Sequence, residues 1–209
     1  MKIALIDYGS GNLQSAYKAL ELSSKFNKKN KVFIATKSKD LLQADKIVLP
    51  GVGTFSDCMK GIKSISGMID TLNKEVLIRK KPFLGICVGM QLLATEGKEK
   101  GNHKGLNWIK GKVIKIKKKN KIKIPHMGWN TVKTIINHPV IKRKKFDSYF
   151  VHSYNFICKN KKNILAVCDY KQNITAIVGS ENIIGTQFHP EKSQKIGLEI
   201  LKNFINWNY

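Results

Sequence analysis

The sequence predicts an α/β fold in three layers. A mostly parallel central sheet carries a nucleophile elbow, and an additional antiparallel strand region follows in the C-terminal half. Three observations carry that expectation. Up to Gly101, short apolar runs alternate with stretches of helical periodicity, the order that builds a parallel sheet. A G-x-C-x-G turn, Gly85-Ile86-Cys87-Val88-Gly89, directly follows one of those runs. Beyond Gly101 the helical spacing gives way to closely spaced apolar runs separated by lysine- and asparagine-rich turns.

Taken in order, residues 2–7 form a buried-strand pattern that stops at Asp7-Tyr8-Gly9-Ser10-Gly11-Asn12. Ser10 or Asn12 is placed to cap a helix carrying Leu13, Ala16, Tyr17 and Leu20 on one face. The loop lacks G-x-G-x-x-G spacing and is no dinucleotide fingerprint. Residues 32–35 are a second strand, 40–43 part of a short helix, and 46–49 a third strand that runs into Pro50-Gly51-Val52-Gly53. The two glycines of that tetrapeptide let a ligand approach main-chain N–H groups, and the same residues would also make a plain turn. Residues 62–79 read as largely helical, 83–86 as a buried strand, and 90–94 as the helix after the elbow. That helix is expected to aim its N-terminus at the Cys87 sulfur. Strands are then expected at 113–116, 122–126, 131–136, 148–156, 164–170, 174–178 and 183–188. A helix over 194–207 closes the chain, with Ile196, Ile200, Leu201, Phe204 and Ile205 on one face. Without an internal repeat or linker, residues 1–209 are expected to form a single domain.

The composition excludes several classes. No segment has the apolar core of a signal peptide or the roughly 20 apolar residues of a membrane span, so a cytoplasmic protein with no membrane partner is expected. Cys58, Cys87, Cys158 and Cys168 show neither CxxC nor paired spacing, which argues against a disulfide framework or a metal site. The net charge of +24 comes almost wholly from lysine, since Arg79 and Arg143 are the only arginines. Specific nucleic-acid recognition favours arginine, so no specific nucleic-acid partner is expected. The lysine groups at 115–119 and 142–145 look like solvated turns, and an acidic partner surface would also suit the charge.

The chemistry resides in two distant segments. In an elbow the middle residue projects from the carboxyl edge of the sheet, where Asp7, Gly51 and Cys87 all fall. The strand ending at Phe188 delivers His189-Pro190-Glu191, and residues two apart in extended backbone share a face. A His-x-Glu pair by itself is commonly a capped or solvated one. Combined with an elbow cysteine, it supplies a base in His189 and an orienting carboxylate in Glu191 for the nucleophile Cys87.

Gly85-Ile86-Cys87-Val88-Gly89-Met90-Gln91 together with His189-Pro190-Glu191 resembles the class I (triad) glutamine amidotransferases. Asp7 to Asn12, Pro50 to Gly53, Pro125-His126-Met127-Gly128-Trp129-Asn130, Tyr149 to Tyr154 and Gln187 to Ser193 are similar to one subfamily, the glutaminase subunits of imidazole glycerol phosphate synthase. Val88 stands where leucine is commoner. The resemblance implies hydrolysis of glutamine to glutamate and ammonia by Cys87, His189 and Glu191, with no cofactor. It implies oxyanion donors at Val88 and at Val52 or Gly53. Glutamine would be held by Gly51, Gly53, Gln91, Glu99 and the backbone of His152-Ser153-Tyr154. The implied partner is a (β/α)8-barrel cyclase, met by Asn12, Met127, Gly128, Trp129 and Asn130. A paralogous subunit supplying ammonia for amidation of a bacterial surface sugar would carry the same catalytic motifs.

Overall fold

The protein is described by a computed structural model covering residues 1–118 and 122–209, so Lys119 of the first lysine group lies outside the described residues. The first half alternates as expected. β1 (Lys2–Ile6), α1 (Leu13–Ser24), β2 (Lys31–Ala35), a 3-10 turn (Ser38–Gln43) and β3 (Lys46–Leu49) lead to α2 (Phe55–Ser64) and α3 (Met68–Leu72). A turn of π-helix (Asn73–Ile78), β4 (Phe83–Ile86) and α4 (Val88–Gln91) complete it. The second half contains the short strands β5 (Glu96–Gly97) and β6 (His103–Lys104), followed by β7 (Gly111–Lys115), β8 (His126–Thr134) and β9 (Lys145–His152). After these come β10 (Tyr154–Cys158), β11 (Ile164–Asp169), β12 (Asn173–Ser180), β13 (Ile183–Thr186) and α5 (Gln194–Asn206).

The main sheet has nine strands in the order β2-β1-β3-β4-β13-β12-β11-β8-β9. β2, β1, β3, β4 and β13 pair in parallel, and the antiparallel strands of the second half continue the same sheet from β12 to β9. From β1 the chain steps one way to β2, and from β3 it steps the opposite way to β4. Right-handed crossovers therefore put α1 and the α2–α3 pair on opposite faces. That reversal beside β1 and β3 opens a crevice at the carboxyl ends, where the site forms. β10, β7, β5 and β6 make a separate four-stranded sheet. Phe55, Phe83, Phe150, Phe156, Phe188 and Phe204 are fully buried and fill the core. No helix among the described residues is long and apolar enough to cross a membrane.

Several elements differ from the sequence expectation for local reasons. The helix expected over 62–79 starts earlier, because Thr54 caps it by accepting from the Asp57 N–H at 3.2 Å. It breaks at Gly67, which adopts φ +68°. Neither Ser10 nor Asn12 caps α1 through its side chain: Asn12 is left-handed at φ 70°, and both side chains bond elsewhere. The strand expected at 122–126 does not form, and β8 begins only at His126. The single strand expected over 148–156 is two strands meeting at Ser153, with β9 in the large sheet and β10 in the small one.

Candidate active site

The elbow is built by close packing of β3, β4 and α4. Cys87 sits at φ 55° and ψ −109°, a strained conformation for a residue with a side chain, costing on the order of 1–3 kcal/mol. Its flanking glycines admit the turn. A Cβ on Gly89 would lie 2.0 Å from the Leu49 carbonyl oxygen, and one on Gly85 would lie 2.6 Å from that of Gly89. The helix after the elbow is a single turn, shorter than expected, so the principal charge facing the sulfur is that of His189 rather than a long helix axis.

Register brings the base to the nucleophile. In the parallel ladder Ile86 faces Thr186, and the Cys87 N–H donates to the Thr186 carbonyl at 2.7 Å, so both strands leave the sheet together. His189 and Cys87 line the same cavity, and His189 Nδ1 donates to Glu191 Oε1 at 2.7 Å. Both the His189 and Glu191 side chains are almost wholly buried. Burial by itself lowers the His189 imidazole. The hydrogen bonds and charges of Cys87 and Glu191 together outweigh it and push the group up to about 10, so the imidazolium is its resting form at neutral pH. Asn12 Nδ2 donates to the same Glu191 oxygen at 2.6 Å, giving an Asn–Glu–His–Cys line. Asn12, expected at the partner interface, thus also reaches the catalytic carboxylate from its half-buried position.

The segment Pro50 to Gly53 packs on the elbow in a particular state. Gly51 carries its Cα against Gly89, where a Cβ would come within 2.5 Å of the Gly89 nitrogen. Its carbonyl accepts from the Val88 N–H at 3.2 Å. The Val52 N–H donates to Ser10 Oγ at 2.9 Å. Tyr8 Oη donates to the Pro50 carbonyl at 2.7 Å, and Cys58 Sγ contacts the Val52 carbonyl at 3.4 Å. The Val88 and Val52 donors are thus both occupied by protein acceptors. Gly53, at φ +102° with no atom within 4 Å of a Cβ, has room to change conformation.

Cys87 and His189 open onto a cavity of about 280 Å³, near the lower end of the ~300 Å³ and upward typical of small-molecule sites. Val52, Gly53, Val88, Gln91, Glu99 and the segment His152-Ser153-Tyr154 line it, and Gly51 is not among the lining residues. Glu99 reaches the cavity while its Oε2 accepts from the Phe55 N–H at 2.8 Å, fixing its loop to the start of α2. A larger cleft of about 1070 Å³ lies on the far side of Pro125, away from Cys87 and His189, so volume alone does not locate the chemistry.

The residues expected at a partner interface fall on two faces of β8. Met127 and Trp129 point outward and are exposed, at 66% and 50%. Gly128 is half-buried, and Asn130 turns inward. A chain of rings links Asn130 to the cavity. Its Nδ2 contacts His126 Nε2 at 3.1 Å, His126 Nδ1 contacts His152 Nε2 at 2.9 Å, and His152 Nδ1 contacts the Tyr154 carbonyl at 2.7 Å. A carbonyl only accepts, so every proton in the chain points toward Tyr154. Burial lowers His126 to about 4 and His152 to about 3, which keeps both rings neutral. His126, Ser10, Tyr8 and Gln187 have site contacts that sequence reasoning did not assign. The polar pair Thr186-Gln187 interrupting an otherwise apolar run was the available signal for Gln187.

Comparison with known proteins agrees with this geometry. The family Glutamine amidotransferase class-I matches residues 4–207. The imidazole glycerol phosphate synthase subunit HisH of Rhodopseudomonas palustris is 48% identical, covering 99% of each chain. The protein of that name from Zymomonas mobilis is 49% identical over 99% of this chain and 96% of its own. Among solved structures, a glutamine amidotransferase superposes with TM-score 0.73 at 16% identity, covering 97% of both chains. Another, from Thermotoga maritima, gives 0.66 at 17%, covering 91% of this chain and 76% of its own. An elbow cysteine, a buried His–Glu pair beside it and a match along nearly the whole sequence make this chain a member of the class-I glutamine amidotransferase family.

Proposed function

We propose that the chain is the glutaminase subunit of imidazole glycerol phosphate synthase, acting as one domain in the cytoplasm and passing ammonia to a (β/α)8-barrel cyclase. The carrying observation is His189, held by Glu191 at 2.7 Å, beside a strained elbow cysteine at the floor of a small cavity. Full-length identity to HisH relatives supports the histidine-pathway assignment over the surface-sugar alternative.

In this mechanism Cys87 Sγ, its proton already held by the His189 imidazolium, attacks the side-chain amide carbon of glutamine. The tetrahedral intermediate collapses as the C–N bond breaks, and His189 returns the proton to departing ammonia. A γ-glutamyl thioester remains on Cys87. Water, deprotonated by His189, attacks it, and glutamate leaves as the thiol reforms. Asn12 and Glu191 keep the imidazole oriented throughout. The oxyanion needs free N–H donors, and both Val88 and Val52 are engaged in this state. Rotation of the Gly51–Val52 peptide would withdraw the Gly51 carbonyl from Val88 and present the Val52 N–H, with Gly53 absorbing the torsional change. Coupling that rotation to the loaded cyclase would restrict ammonia release to moments when the partner can use it. The exposed Met127 and Trp129 are the proposed contact to that partner, which forms imidazole glycerol phosphate and AICAR.

The test is a glutaminase assay of the purified chain with and without a barrel cyclase and its ligand. The reading predicts a low rate alone and a strong rise in the loaded complex. A chain fully active alone would refute the gating, and one inactive in every loaded complex would refute the assignment.

A further inference from the structure

Gln187 is fully buried, and the roles above leave it unused. It stands just beyond β13 as Cys87 stands just beyond β4, and the register pairing Ile86 with Thr186 brings the two side chains together. Its backbone N–H donates to the Ala176 carbonyl at 2.8 Å, and its Oε1 accepts from Gln91 Nε2 at 2.9 Å. Its Nε2 lies 3.7 Å from Cys87 Sγ.

The surroundings dictate which way this amide faces. The Tyr154 carbonyl can only accept, and Gln91 Nε2 lies 3.5 Å from it as well as facing Gln187. Reversing Gln91 would oppose two carbonyl oxygens, so Gln91 is the donor and Gln187 must offer its oxygen. The Gln187 nitrogen is then left toward the sulfur.

We infer that Gln187 is a further catalytic residue, donating a side-chain N–H to the Cys87 sulfur so as to aim it and favour its anionic form. This rests on Cys87 being the glutaminase nucleophile. A buried amide is costly unless both ends are bonded, and an apolar side chain of similar shape would fill the space more cheaply. Gln187 does not line the cavity, so substrate contact does not account for it. Among the described residues, His189 is the only other side chain placed to donate to this sulfur.

Two variants test the inference. Gln187→Met removes both amide bonds at nearly constant volume. Gln187→Glu keeps the outline and an oxygen for Gln91, while turning an acceptor toward the sulfur. The full-length chain is treated with iodoacetamide across a pH series and the Cys87 peptide is quantified by mass spectrometry. The kcat and KM for glutamine are measured in the complex with the barrel cyclase. Alkylation of Cys87 at pH 7 should slow ~10-fold in Gln187→Met and more in Gln187→Glu, recovering as pH rises. The kcat should fall by a similar factor with KM little changed. An unmoved alkylation profile and kcat in a folded variant overturn the inference, as does a change in KM alone. If Gln187→Met does not fold, Gln187→Glu carries the test. Cys87→Ala is measured alongside: turnover surviving that change sinks the nucleophile reading itself, whereas its loss combined with silent Gln187 variants sinks only the role of Gln187.

Discussion

Replacing Ser10 by alanine should raise the glutaminase rate of the chain on its own. Ser10 Oγ is the acceptor that keeps the Val52 N–H turned away from the elbow, at 2.9 Å in a half-buried position. A neutral hydrogen bond of this kind contributes about 1 kcal/mol net, so its loss should raise the population of the rotated Gly51–Val52 peptide about five-fold. The Gly51 carbonyl still holds the Val88 N–H at 3.2 Å, so the resting arrangement stays dominant and the gain stops well short of full activation. The assay is glutamate release by Ser10→Ala without the cyclase and with the loaded cyclase, beside Ser10→Thr, which keeps a hydroxyl. The unstimulated rate should rise about five-fold in Ser10→Ala, and the stimulated rate should change less than about two-fold. An unstimulated rate that stays level or falls, in a variant with unchanged melting behaviour, would refute the gating role of this contact.

Other expectations follow from neighbouring contacts. Asn12→Ala removes a 2.6 Å bond to the Glu191 carboxylate and should lower kcat by ~10-fold in the complex; a change confined to partner affinity would refute this orienting role. His189 should stay protonated well past pH 6.5 and titrate near pH 10, read by NMR of its ring. In Cys87→Ala the raising contributions of the sulfur vanish while burial remains, so the midpoint should drop, and an unchanged midpoint would remove Cys87 from contact. Gly89→Ala would drive a Cβ to 2.0 Å from backbone, with a cost of ~3 kcal/mol or more, seen as a large fall in melting temperature; a native melting point would contradict the elbow packing.

What the sequence disclosed depended on how local each cause is. β1, β3 and β4 are read from apolar runs because strands buried on both faces need no partner to be recognised, whereas β2 is a partly exposed edge strand. Cys87, His189 and Glu191 are legible because an elbow and a His-x-Glu pair are short-range patterns. The split of 148–156 at Ser153 was hidden, since which sheet each half joins depends on β8 and β7, distant in the chain. Ser10 and Asn12 have capping chemistry, yet tertiary acceptors and donors on Val52 and Glu191 claim them instead. Asn130 sits in the same motif as Trp129 but on the opposite face, a distinction that emerges only once β8 is known to begin at His126. The gap of nearly the whole chain between Asn12 and Glu191 closes because α1 packs against α5 and the turn before it.

The most direct measurement is mass analysis of the loaded complex quenched during glutamine turnover. A γ-glutamyl adduct on the Cys87 peptide, absent from the peptides of Cys58, Cys158 and Cys168, is the predicted result. Turnover at the normal rate in Cys87→Ala, or an adduct on another residue, would contradict it.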